Sequence, residues 1–257
     1  MKTANLESLG AMVLWLVPFV LGKRLRWGSS THRRRWLSAA AGIAIAYVFV
    51  DLFPQMSRMQ AVFTVAAEGK GFPLPEFRVY ASALAGFVLF YALENMVTTS
   101  RLNQEGQPEN AVAYRADIGG YAGYCAMMSY LLVADARKTV ISLVLYSFAM
   151  FLHYWLVDHS LRREHPEPYD RAGRWIIASG IVAGWVVGSL KLPSDVLVPT
   201  LMGFIGGGVV MNSIRAELPE RGEGRLLPFV VGAFGYAMLL MLIELAEKNG
   251  HAGALAL

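Results

Sequence analysis

The chain has 257 residues, of which 55% are hydrophobic and only 16% charged, with a formal net charge of +4. Soluble domains carry about 25% charged residues, so this balance excludes an ordinary soluble domain. The single cysteine, Cys125, excludes an intrachain disulfide.

Apolar runs fall at 9–22, 37–54, 79–97, 118–134, 139–157, 175–190, 197–214 and 226–245. A membrane-spanning helix needs about 20 mostly apolar residues, with about 17 as the floor. The fourth, fifth, seventh and eighth runs meet that floor outright. The first and sixth are short, and the second and third reach it only by including Asp51 and Glu94. All eight are taken as spans, which makes 1–257 a single transmembrane domain of an all-α polytopic protein. Lys23, Arg24 and Arg26 follow the first run, whereas a signal peptide has its basic residues in front. The first run is therefore read as a retained helix.

Basic residues crowd alternate connectors: Arg33 to Arg35 after the first span, Arg101 and Arg115 after the third, Arg162, Arg163, Arg171 and Arg174 after the fifth, and Arg215, Arg221 and Arg225 after the seventh. Basic loops stay in the cytoplasm. Both termini are therefore expected to face away from the cytoplasm, in the cell (inner) membrane. Trp27, Trp36 and Trp175 stand at span edges on the same side, as an aromatic belt places them. The positive charge is matched to anionic headgroups, so lipid is the expected partner and nucleic acid is not. The long connectors, about 55–78, 98–117 and 158–174, read as loops because they carry Pro, Gly and charge.

Ionisable groups inside spans are costly, which makes them functional candidates. His153 and Asp158 form the sharpest pair. They lie five residues apart, about 140° around a helix, so joint ligation needs a helix break or a partner from another span. The alternative ties Asp158 to Tyr154 or Arg162 and makes His153 an interhelical hydrogen-bonding residue. Asp51 precedes Pro54, whose missing N–H frees a carbonyl and loosens the helix. It reads either as a cation or proton site there or as an interfacial acid. Glu94 and Glu244 lie near span ends. Asn95 and Asn212 read as interhelical hydrogen-bonding residues, with Asn212, Glu94 and Glu217 as polar lining of a path. Cys125, Met127, Met128 and Met150 are soft donors that read mainly as packing. Gly203, Gly206, Gly207 and Gly208 form a small-residue packing face. The charged connector 161–175 reads as a solvated loop, as a salt-bridge network or docking surface, or, through His165 with Glu164 and Glu167, as a metal trap at a channel mouth.

The chain also echoes itself. The second span ends Tyr-Val-Phe-Val-Asp-Leu-Phe-Pro-Gln (47–55) and the seventh ends Asn-Ser-Ile-Arg-Ala-Glu-Leu-Pro-Glu (212–220). The third span reads Phe-Tyr-Ala-Leu-Glu (90–94) and the eighth Met-Leu-Ile-Glu (241–244). An echo displaced by an odd number of spans crosses the membrane in opposite senses, as in inverted-repeat transporters.

This layout resembles the ZIP metal-transporter family. The endings Leu-Phe-Pro-Gln and Glu-Leu-Pro-Glu are similar to that family's leucine-leucine-proline-glutamate endings, and 86–94 resembles its third span. The resemblance implies a 3+2+3 inverted-repeat bundle with a path between the central pair and spans two and seven. The usual metal motifs are missing. Span four reads Gly-Tyr-Ala-Gly-Tyr-Cys-Ala-Met-Met-Ser-Tyr (120–130), without His, Asp or Glu, and span five lacks a second ligand four residues after His153.

The expected function is that of a divergent ZIP-like membrane protein that moves or binds a metal cation or small solute without ATP. Its metal candidates are His153, Asp158 and Asp51, and the cofactor expected, if any, is a divalent transition metal. The rival is a non-transporting subunit or scaffold that has lost the site, working as a homodimer or with a membrane partner. No nucleotide loop, nucleophile elbow or HExxH motif occurs, so no enzyme activity is expected.

Overall fold

The computed structural model describes residues 2–22, 30–68, 71, 74–102, 111–134, 140–190, 194, 196–212 and 225–254. Among them the chain is almost entirely helical, with no strands. The helices are α1 (Lys2–Leu21), α2 (Ser30–Tyr47), α3 (Phe53–Ala67), α4 (Arg78–Leu102), α5 (Ala111–Ala134), α6 (Val140–Glu164), the short α7 (Pro166–Pro168), α8 (Arg174–Leu190), α9 (Leu197–Asn212) and α10 (Leu226–Ala254). Among the described residues, five stretches are long and apolar enough to cross a membrane: Arg35–Ala67, Pro75–Thr99, Val140–Glu164, Pro166–Leu190 and Leu226–Ala246. The apolar helices Leu6–Leu21 and Leu197–Met211 are shorter.

Two expected loops are helical instead, and the third, 98–117, is helix at 98–102 and 111–117, with 103–110 outside the described residues. The second span, read as 37–54, runs on through Ala67, so most of the expected 55–78 loop is helix. Pro54 does not stop it. Its ring displaces the normal backbone bond, and the chain widens into a π turn at Val48–Leu52, closed by the Phe53 N–H donating to the Val48 carbonyl. Two polar residues beyond Pro54 belong to the interior, whereas Ser57 and Arg58 are exposed. Gln55 and Gln60 are buried, and Gln60 ties the start of α4 to α3. Its Oε1 accepts the Val79 N–H at 2.9 Å while its Nε2 donates to the Pro75 carbonyl at 2.7 Å.

The 158–174 connector is the second correction. Helix α6 continues to Glu164, and only His165 leaves helical geometry, with φ −130° and ψ 63°. The proline that follows disfavours the α region at this residue. Helix resumes at once through α7 and a second π turn, Tyr169–Gly173, that leads into α8.

Small residues set the closest helix contacts. Gly180, Gly184 and Gly188 of α8 lie on Ala122, Ala126 and Tyr130 of α5, so close that a Cβ at Gly184 would collide with the Ala126 carbonyl oxygen. Gly203 and Gly207 of α9 meet Val79 and Ala83 of α4 in the same way. Gly42 of α2 meets Phe229 and Ala233 of α10. Such faces let backbones approach where apolar burial between helices supplies little drive.

Helices α5 and α6 stand at the centre. Tyr124, Cys125, Ser129, Ala149, Met150 and Tyr154 are fully buried there. Helix α1 closes over α6, with Trp15 edge-on to Tyr146 and Tyr154 and its Nε1 donating to the Ser147 carbonyl at 3.2 Å. By contrast α4 and α10 turn large side chains outward, including Leu84, Val88, Val231, Phe234 and Met238.

Candidate functional site

Among the described residues, the buried His and Asp side chains fall into three groups rather than one. The first lies midway along the central pair. His153 is 1% exposed, and its Nε2 sits 3.1 Å from the Tyr124 hydroxyl, so α5 and α6 are joined by a phenol–imidazole bond. The Tyr154 ring packs beside the His153 ring and against Phe19 of α1.

The second group surrounds Asp158, one turn further along α6. Arg162 reaches back four residues and grips both carboxylate oxygens, at 2.8 and 3.1 Å. It also bonds Asp170 in the π turn. The Tyr169 hydroxyl donates to Asp158 Oδ1 at 2.7 Å, and the Arg162 guanidinium lies 5.2 Å from the Tyr169 ring centre. Gly22, at the end of α1, abuts the same carboxylate, where any side chain would collide. Arg174 completes the junction by donating to the Asp170 and Val20 carbonyls at 3.1 and 3.4 Å. Asp158 is therefore the anchor of a knot joining α1, α6 and α8. His153 and Asp158 reach different partners, and the structure does not bring them together.

The third group was not singled out as a set by the sequence. Asp117 of α5 places Oδ2 3.0 Å from His165 Nε2, with both residues buried. Glu164 lies beside them, and the three residues offer ligand atoms within 4.8 Å of one another. This is the one group of three or more His, Cys, Asp or Glu residues so arranged among the described residues. Glu167, paired with His165 in the sequence reading, is exposed and lies outside it.

The remaining candidates are scattered. Asp51 sits in the first π turn, partly buried, within electrostatic reach of Tyr47 and Tyr236. Glu94 accepts from the Thr98 hydroxyl at 3.0 Å on its own helix. Asn212 ends α9, its side chain outside the description, and Glu217 lies outside the described residues.

A small cavity opens between α5, α6, α9 and the α2–α3 rod. Its walls are Tyr47, Leu52, Gln55, Met128, Leu131, Leu132, Leu143, Tyr146, Met202 and Ile205. No His, Cys, Asp or Glu lines it. Its polar groups are the Gln55 amide and two phenols, beside the thioethers of Met128 and Met202. The cross-helix partners Tyr124, Tyr169 and Asp117 escaped the sequence reading because nothing in one sequence says which tyrosine meets which histidine or acid.

Compared with known proteins, the chain matches no family model and no curated protein sequence.

Proposed function

We propose that the chain is an integral protein of the cell (inner) membrane with eight spans in a ZIP-like 3+2+3 arrangement and both ends facing away from the cytoplasm. It binds or passes a small uncharged solute, without ATP, through the cavity between the central pair and spans two and seven. The cavity carries this reading. It opens where the resemblance puts the path, yet its wall offers an amide, two phenols and two thioethers rather than carboxylates and imidazoles. Divalent transition metals are held by imidazole, thiolate or carboxylate ligands, and the interior His153 and Asp158 are committed to Tyr124, Arg162 and Tyr169.

The inverted relation has support of its own. The register that lays Pro54 on Pro219 lays Gly42 on Gly207, and the register that lays Glu94 on Glu244 lays Ala83 on Ala233. Gly42 packs on Ala233, and Gly207 packs on Ala83. Exchanged contacts of this kind are what a two-fold relation between the ends of the chain demands.

A second reading, a scaffold that kept the bundle and lost its site, is favoured by the internal bonding of His153 and Asp158. Osmotic swelling of proteoliposomes in glycerol or urea separates the two. A solute path gives swelling faster than in protein-free vesicles, abolished by Leu131→Trp, which fills the cavity. No acceleration, with a membrane subunit that co-purifies, fits the scaffold. Zinc or manganese uptake that His153→Ala abolishes would contradict both.

A further inference from the structure

We propose that Asp117, Glu164 and His165 form a binding site for one divalent transition-metal ion, separate from the central cavity. The chemistry is one imidazole and two carboxylates, a donor set that suits zinc and cobalt. Exposed acidic clusters are common without an ion, but Asp117 and His165 are each at most 2% exposed. Two carboxylates and one imidazole converge here.

The geometry fits an ion with little movement. Tetrahedral zinc, with bonds of roughly 2.0–2.1 Å, holds its ligand atoms roughly 3.3 Å apart. Asp117 Oδ2 and His165 Nε2 are 3.0 Å apart, and all three ligand atoms lie within 4.8 Å of one another. An ion would take the place of the hydrogen that now lies between ring nitrogen and carboxylate.

The surroundings hold each ligand in place. His165 is fixed at the helix break by its own backbone, whose N–H donates to the Leu161 carbonyl at 2.8 Å and whose carbonyl accepts from Tyr169 at 3.0 Å. The Tyr114 ring stands edge-on to the imidazole at 5.2 Å, and the Tyr114 hydroxyl donates to the Pro168 carbonyl at 2.8 Å. The Ser160 hydroxyl donates to Glu164 Oε1 at 2.8 Å and orients that carboxylate. Orienting groups of this kind tune metal affinity by about 10–100-fold. The ion would staple the start of α5 to the α6–α7 turn, at the bundle end that the charge pattern assigns to the cytoplasm. The site does not depend on what the central cavity carries.

Cobalt(II) titration of the purified full-length protein in detergent tests the site, with visible absorption and metal content as readouts. One ion per chain is expected, with His165→Gln and Glu164→Gln each weakening binding by about tenfold or more and Ser160→Ala weakening it less. Glu167→Gln, at an exposed carboxylate outside the cluster, is expected to bind like the wild type. Glu164 is only half-buried, so its variant serves even where a change at Asp117 prevents folding. Absence of cobalt and zinc binding by the folded wild type, or binding that His165→Gln and Glu164→Gln leave unchanged, overturns the proposal.

Discussion

Replacing Asp158 with alanine is expected to destabilise the folded bundle by about 3 kcal/mol, the lower end for breaking a buried ion pair from one side. The Asp158 side chain is 3% exposed and that of Arg162 14%. The variant leaves a largely buried guanidinium with Asp170 alone and a fully buried Tyr169 hydroxyl without its acceptor. An unsatisfied buried hydroxyl by itself costs about 1–3 kcal/mol. Tyr169→Phe removes the hydroxyl together with its need for a partner and is expected to cost about 1 kcal/mol. Equilibrium unfolding in mixed micelles checks both. An Asp158→Ala variant as stable as the wild type would mean that the knot contributes nothing, and that the carboxylate is free for another role.

Gly184→Val is expected to have a comparable or larger effect, about 3 kcal/mol, by forcing α5 and α8 apart. Its Cβ has nowhere to go, because the obstruction is the Ala126 backbone carbonyl rather than a side-chain tip that can swing away. Overpacking usually costs about 1–3 kcal/mol, and a rigid obstacle puts this site at the upper end. Gly123 of α5 is the control. A Cβ there meets nothing within 4 Å, so Gly123→Ala is expected to be neutral or to stabilise the helix by about 0.5 kcal/mol. A Gly184→Val variant as stable as Gly123→Ala in the same unfolding assay would contradict the close-approach reading of Gly184.

The cores of the helices were legible in the sequence because apolar runs of this length have few other uses. Their ends were not. Gln55, Arg58 and Gln60 look like loop residues, yet α3 continues through them, and Gln60 finds partners in Pro75 and Val79, just before and within the first turn of α4. Arg162, Arg163 and Glu164 likewise look like a connector, but they form the last turn of α6, where Arg162 lies one turn beyond Asp158. Helix α5 is the reverse case. It has 24 residues but is not among the stretches apolar enough to cross a membrane by composition. Its central place explains this, since neighbours on most sides shelter Tyr121, Tyr124 and Ser129. The polar groups were visible one at a time, but their partners come from other helices. Among the partners of Asp158, only Arg162, four residues away on the same helix, could be read from spacing.

The most direct test of the membrane arrangement is single-cysteine labelling from each side of sealed vesicles, in a Cys125→Ala background. Gly28→Cys, Gln107→Cys, Glu167→Cys and Gly222→Cys are expected to react with an impermeant maleimide only from the cytoplasmic face. Lys2→Cys, Glu68→Cys, Lys138→Cys, Ser194→Cys and Ala256→Cys should react only from the other. Labelling of Lys2→Cys and Ala256→Cys from opposite faces would contradict this arrangement.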